Sequence, residues 1–438
     1  MAEDPDVHAS VTTGAPGELG TTARPLSDKP SASSQKRLGS AELSAIIGEE
    51  TVRLCLEKCG QKLHAIILTG SLARDEATFI PEKTGWRLLG DADLFLVYEQ
   101  TSRLPSDADL SSLASAIEER LIARGIHGEV GLGAIHPSYL RQLKPRIATY
   151  ELRNSGRVLW GDAQVLSLIP QFGVEEISRE DAWRMLCNRA IEFLANAATG
   201  EPGEAQVASS TFYAALKLML DSATSYLVFA GAYEPTFQSR AARLSQLAGD
   251  SAAASAAPFP LKPFADEVSA CTAWKLCGTQ NNRDFCGSMS KQAVAFATAL
   301  WRWELLQLTG APPNLSDDEL WSRWASLLTL SQKMRAWLSA ARRAGWSRNW
   351  RNWPRWMRLS RRGTPRYLVY RVAAGLLSEL SRFAETDFAT LRLESDPDGL
   401  FALLPERAPA SAGLDNNWQA LAADLAWNYK KFLLGTDA

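Results

Sequence analysis

Long apolar runs are missing from this chain. The most hydrophobic stretch, Phe212 to Tyr233, is interrupted by Lys217 and Asp221, and nothing approaches the roughly 18 apolar residues of a membrane span. An integral membrane protein is therefore excluded by the sequence reading. Histidine is scarce and unevenly placed. All four, His8, His64, His127 and His136, fall in the first third, which excludes a histidine-based triad or a ribonuclease histidine from everything after Pro137. The six cysteines, Cys55, Cys59, Cys187, Cys271, Cys277 and Cys286, show no C-x-x-C pairing. Buried apolar thiols are expected, not a zinc site or a disulfide framework. Net charge is nearly absent too: 47 basic against 49 acidic residues leave −2, so overall charge does not suggest a nucleic-acid or membrane-surface protein. The N-terminus opens with Glu3, Asp4 and Asp6 and has no apolar h-region. Neither a secretory signal nor an Arg-rich transit peptide is expected, and the chain reads as soluble and cytoplasmic.

At 438 residues with 46% hydrophobic and 22% charged composition, the chain is globular in type and too long for one ordinary core. Residues 1–38, rich in Ser, Thr, Ala, Pro and Gly with no aromatic, read as a disordered tail. Ser40 is expected to cap a helix that runs to about Cys59 and stops at Gly60. A strand, His64 to Thr69, then meets Gly70-Ser71. A second strand, Ala92 to Tyr98, follows Gly90, a helix runs from about Asp107 to Arg124 behind Ser106, and a third strand spans Glu129 to Ile135. Beyond about Asp162 the periodicity is helical, over Asp181–Ala198, Ala208–Gly231, Asn282–Thr309, Asp317–Arg343, Tyr367–Phe383 and Trp418–Leu434. The stretches Gly249 to Pro263 and Pro405 to Leu414 read as linkers or long loops. Lys217 and Asp221, at i and i+4, read either as residues facing the cleft or, in preference, as an internal ion pair.

The chemistry is concentrated in Leu68 to Tyr98. Asp91 and Asp93, two apart on a strand, present both carboxylates to one side, an arrangement suited to Mg²⁺ or Mn²⁺ shared with substrate phosphates. Gly70 permits close backbone approach and Ser71 adds a hydroxyl, which suits phosphate oxygens. Glu129 is the only acid of the third strand, and Gly131 and Gly133 on its face would leave room for a nucleotide.

The pattern h-h-x-G-S-x-A-R-x-E, then D-x-D-L-h-h-V, then a later strand acid, resembles the nucleotidyltransferase superfamily that shares the DNA polymerase β palm. Tyr150 to Leu166, with its Gly161-Asp162 break, looks like the segment closing the minimal bacterial domain of that family. The resemblance covers roughly residues 42–166. It implies transfer of a nucleoside monophosphate from an NTP to an acceptor hydroxyl or phosphate, with release of pyrophosphate. It assigns Gly70, Ser71 and Arg74 to the triphosphate, and Asp91, Asp93 and Glu129 to catalysis and the metals. Arg74 and Glu76 also read as a helix-start ion pair. Two departures stand out: a long insert holding Pro81 to Trp86, read as a hairpin or flap, and Glu where Asp is commoner as the third acid.

The expected architecture is α+β. A mixed-sheet nucleotidyltransferase domain over 39–166 is followed by a large all-α acceptor-side domain over 167–404, then a linker and C-terminal helix over 405–438. Within the helical part, residues 342–371 hold ten Arg and no Asp or Glu, interleaved with Trp346, Trp350, Trp353 and Trp356. That segment reads either as an internal Arg and Trp interface or as a contact for an anionic partner such as RNA, a polyanion or a lipid head group. A small molecule or protein acceptor is favoured over RNA. The competing reading is a catalytically inactive nucleotide-sensing or adaptor protein whose Arg and Trp surface binds a partner.

Overall fold

The computed structural model describes residues 39–199, 210–278, 283–343, 345, 352–382, 397–409 and 417–433. The tail expected over 1–38 lies outside the described residues. The architecture is α+β, and the chain divides into two compact units. The first takes residues 39–144, 151–171 and 275–278, and the second takes 145–150, 172–274 and the described residues from 283 onward.

The first unit opens with α1, Ser40–Cys59, whose start differs from expectation by one residue. Gly39 holds the cap position and its N–H donates to the Glu42 carboxylate at 3.0 Å. At the other end Gly60 stays right-handed and continues into a 3-10 turn. β1, Leu63–Leu68, runs into a single turn of helix, α2, Gly70–Ala73. The insert is a hairpin: β2, Thr78–Glu82, and β3, Gly85–Tyr98, pair antiparallel from Thr78↔Leu89 to Glu82↔Gly85. The strand expected from Ala92 thus begins seven residues earlier, inside the hairpin. α3, Asp107–Ala123, starts where Ser106 and Asp109 cap each other reciprocally at 3.0 and 3.2 Å. β4, Ile126–Ile135, follows, then the short helices α4, Pro137–Arg141, and α5, Ile147–Ser155, and the strand β5, Arg157–Gly161.

The sheet is mixed. β3 pairs antiparallel with β2 and β1 along one edge and parallel with β4 along the other, while β5 lies antiparallel on the far side of β1. Alternation decides the two faces. Ile66, Leu68, Ala92, Leu94, Leu96, Val130 and Leu132 meet Leu43, Ile47 and Leu54 of α1 and Leu110, Leu113 and Ile117 of α3 in one core. On the opposite face Ala65, Ile67, Val97 and Ile135 pack under Leu140 of α4, Leu152 of α5, Val165 and Ile169. The last turn of α10, a helix spanning Leu261–Cys277, also belongs to this unit, where Thr78 Oγ1 donates to the Lys275 carbonyl at 2.7 Å.

Among its described residues the second unit has helices and loops and no strand. α6, Arg179–Thr199, and α7, Ser210–Phe229, pack together, with α6 burying Ala182, Trp183, Leu186, Ala190, Ile191 and Leu194 at helical spacing. α8, Phe237–Gly249, and α9, Ser251–Ala256, fall partly where a linker is expected. The Asp250 carboxylate accepts from Ala252 N–H at 2.8 Å, and an alanine run behind such a cap favours helix. After α11, Arg283–Thr309, the expected single helix Asp317–Arg343 is two, α12, Asp317–Ser326, and α13, Leu330–Arg343. Thr329 and Gln332 cap each other at 2.8 and 3.3 Å and restart the helix. α14, Trp353–Ser360, α15, Pro365–Arg382, α16, Pro397–Phe401, and α17, Asn417–Asn428, complete the unit. Its core is aromatic: Trp183 meets Trp324 and Tyr370 edge-on at 4.3 and 5.4 Å between ring centroids.

Several expectations change here. Asp221 pairs with Arg189 at 2.5 Å, and the Lys217 ammonium lies over the Tyr213 ring at 5.0 Å, because side chains from α6 and α7 supply nearer partners. The start of the second linker is fixed: Glu406 is buried, and its backbone N–H and carbonyl are bonded by the Asn428 side chain at 3.0 and 2.8 Å. Within the Arg and Trp segment, residues 344 and 346–351 lie outside the described residues. Trp356 is buried against Phe432 and offers no stacking surface. Arg355 donates to the Leu404 and Phe401 carbonyls, and Arg366 to Tyr370 Oη, whereas Arg342, Arg343, Arg358, Arg361 and Arg362 are exposed. Cys55, Cys187 and Cys271 are buried thiols, with burial pushing Cys55 up to about 12, while Cys277 is exposed. No described helix is long and apolar enough to cross a membrane.

Candidate active site

The candidate residues meet at the middle of β3. Alternation turns Ala92 and Leu94 into the core beneath α1 and α3, so Asp91, Asp93 and Phe95 face the other way. β4 runs parallel with Asp91 opposite Glu129 and Asp93 opposite Gly131. Register partners on neighbouring strands project to the same side. Glu129 therefore joins Asp91 and Asp93 on one face, and it is the fourth residue of β4, not the strand's first. Asp91 and Asp93 are half-buried and Glu129 is exposed.

From the other edge of β3 comes the chain leaving β1. Leu68, the last residue of β1, pairs with Leu94, and the next N–H, of Thr69, donates to the Asp93 carbonyl at 2.9 Å. Gly70 then turns with φ +69°, a left-handed conformation that costs other residues about 1–2 kcal/mol. Space is tight as well: a Cβ there would lie 3.3 Å from Asp93 Oδ2, so the carboxylate would have to give by a few tenths of an ångström. The Gly70-Ser71 turn is thus seated against the Asp93 carboxylate, while Glu129 flanks Asp91 from the opposite strand.

Three carboxylates without imidazole or thiolate form a hard-oxygen donor set, the chemistry of Mg²⁺ or Mn²⁺ and not that of zinc. They share a face without closing into a cluster. Among the described residues no group of three or more His, Cys, Asp or Glu side chains is gathered tightly enough to hold a metal. Carboxylate oxygens are the donor type that Mg²⁺ or Mn²⁺ takes, and Asp91, Asp93 and Glu129 are the residues that could offer them.

Arg74 follows a different logic. Its Nε meets Glu76 at 3.0 Å and its Nη1 meets Glu151 of α5 at 2.6 Å, with the side chains of Arg74 and Glu76 only 7% and 5% exposed. The helix-start pair is present, and Glu151 turns it into a strut between the Gly-Ser turn and α5. With two carboxylates already on its guanidinium, Arg74 is better placed to hold the turn than to take phosphate. Glu151 carries no local sequence signal for this role, because its partner is 77 residues away.

The room expected over the small residues of β4 is partly filled. A Cβ on Gly133 would lie 2.9 Å from the Phe95 ring, so that glycine admits Phe95. His64, the second residue of the internal strand β1, bridges Glu99 and Asp162 at 3.3 and 3.2 Å. No model of a known protein family matches this chain, and no curated protein matches it.

Proposed function

We propose that this chain is a metal-dependent nucleotidyltransferase, moving a nucleoside monophosphate from an NTP to a hydroxyl or phosphate of a small molecule or protein. One observation carries the reading: the parallel register of β3 and β4 brings Glu129 beside Asp91 while the Gly70-Ser71 turn is seated against Asp93. A phosphate-compatible turn and three acids on one face are the minimum for this chemistry.

In this reading the Gly70 and Ser71 backbone and the Ser71 hydroxyl orient the triphosphate. Asp91 and Asp93 would hold the divalent ion, with Glu129 as the third acid. When bound, that ion neutralises charge developing on the transferring phosphoryl group. Glu129, the exposed residue of the edge strand β4, accepts the proton of the acceptor oxygen. The new bond joins that oxygen to the α-phosphorus as the bond from the α-phosphorus to the bridging oxygen breaks in line, and pyrophosphate leaves with the electron pair. Arg74, clamped by Glu76 and Glu151, keeps the turn in position.

The test is transfer of α-labelled ATP, CTP, GTP and UTP into a cell lysate with Mg²⁺ or Mn²⁺, comparing wild type with an Asp91→Asn, Asp93→Asn double variant of matched stability. Label with wild type only is expected, and the size of the labelled product gives the acceptor class. Equal labelling by both proteins would remove the assignment. Triphosphate binding without transfer would favour a sensing or adaptor protein.

A further inference from the structure

No aspartate or glutamate occurs between Glu319 and Glu379, a span holding thirteen Lys and Arg residues. A charge imbalance of that size must be met by distant carboxylates, solvent or a ligand. The described residues divide it unevenly. Arg355 and Arg366 are consumed by carbonyls and a tyrosine hydroxyl. Lys333, Arg361 and Arg362 have no carboxylate partner among the described residues, and they converge with Arg371 on the rim of one cavity of about 540 Å³.

That cavity is built entirely from the second unit. Lys333 comes from α13, Arg361 and Arg362 from the link between α14 and α15, and Arg371 from α15. Arg371 is held in place by Asp318 at 2.5 Å. Among the described residues, four cations against that single carboxylate leave three unit charges unanswered. The floor is rigid: Trp321 stacks on Trp301 at 5.5 Å and Tyr367 stacks on Trp324, and both floor rings are buried. Among the described residues no acidic side chain lines the cavity.

We propose that this cavity is a binding site for a small molecule bearing two or more phosphate groups. Three arguments select the class. Arginine forks match phosphate oxygens in geometry as well as charge. Three unanswered charges call for a polyvalent anion, which a single carboxylate does not supply. The volume falls in the range of about 300–1,000 Å³ typical of small-molecule clefts, whereas a nucleic-acid strand is tracked by an extended groove. The site goes beyond the transfer reading and stands without it.

The experiment uses the full chain and inorganic tripolyphosphate as probe, titrated calorimetrically in EDTA so that metal-dependent binding at the β3 site does not contribute. Saturable binding near one per chain is expected in wild type and equally in the Asp91→Asn, Asp93→Asn protein. An Arg361→Gln, Arg362→Gln variant should bind roughly tenfold more weakly or worse. Arg342→Gln, Arg343→Gln removes the same charge from exposed positions outside the cavity and should leave affinity within about twofold, given screening at physiological salt. Equal losses in the two arginine variants would overturn the proposal in favour of a diffuse basic surface. No saturable binding by wild type would also overturn it, as would binding of single-stranded RNA or of phosphatidylglycerol vesicles that tripolyphosphate fails to displace.

Discussion

Replacing Gly70 by alanine should disturb the protein in two separable ways, and the separation tests the geometry of the site. The first is backbone strain. At φ +69° a Cβ costs about 1–2 kcal/mol, offset by about 0.4–1 kcal/mol from the reduced freedom of the unfolded chain. That leaves a net loss of about 1 kcal/mol. The second is contact. The new Cβ would lie 3.3 Å from Asp93 Oδ2, a few tenths of an ångström too near, and the Asp93 backbone cannot retreat because its carbonyl accepts from Thr69. The carboxylate must give way instead, a coupling at the lower end of the roughly 0.5–3 kcal/mol seen between touching residues. Urea unfolding of wild type, Gly70→Ala, Asp93→Ala and the double variant closes the cycle. Gly70→Ala should cost about 1.5–2 kcal/mol alone and about 1 kcal/mol where Asp93 is already alanine. Costs equal to within about 0.3 kcal/mol in both backgrounds would refute the contact, and with it the seating of the turn on Asp93. If the proposed chemistry holds, Gly70→Ala should also lower transfer well beyond its effect on stability, since displacement of a catalytic group by about 1 Å can cost 10²-fold.

Two further outcomes are expected. Arg74→Met leaves Glu76 and Glu151 without their shared cation in a largely buried place, and should destabilise by about 3–5 kcal/mol in urea, with Arg74→Lys intermediate. A loss under about 1 kcal/mol would show that the strut behaves as a surface pair. Glu304 of α11 is fully buried, neither carboxylate oxygen has a well-formed hydrogen bond, and burial raises its pKa well above the usual carboxylate range, with Ser225 pulling weakly the other way. The unfolded chain ionises this group near 4.5 while the folded chain keeps it protonated. Its contribution is therefore fully present below that pH and is lost as pH rises, by about 1.4 kcal/mol per unit, until the folded pKa is passed. Glu304→Gln should gain on wild type as pH rises above 4.5, the gain levelling off once the folded pKa is passed. Unfolding midpoints that shift in parallel for the two proteins would contradict this.

Local chemistry made much of the first unit legible. Ser106 three residues before Asp109 marks α3, and the apolar run before Gly70-Ser71 marks β1. The pairing of strands is a tertiary property. Glu129 reads as an acid in a strand, but whether it sits beside Asp91 depends on a parallel register and a bulge between Arg87 and Asp91 that no local pattern encodes. Glu151 was silent for the same reason. In the second unit, composition misled where capping would have informed: the Ala and Ser run after Gly249 looks like a linker until Asp250 is seen as a cap. Thr236 with Ser239 and Thr329 with Gln332 are equally local signals, and they mark helix starts that a search for apolar periodicity alone passes over. Trp356 shows the opposite limit, since a tryptophan among arginines reads equally as internal or as a contact surface in sequence, and it is buried in the fold.

The bond from Thr78 to the Lys275 carbonyl bears on the order in which the protein can be finished during synthesis. Thr78 is almost wholly inaccessible, and its hydroxyl waits for a carbonyl encoded 197 positions later. A chain leaving the ribosome has all five strands at Gly161 but must still make α6 to α9 and nearly all of α10 before that acceptor exists. Until then the Thr78 hydroxyl can bond only to water, because the residues that supply its acceptor also help to enclose it: a Cβ on Gly278 would lie 3.5 Å from the Thr78 methyl. The sheet that carries the site would thus be the earlier part to form and the later part to be completed.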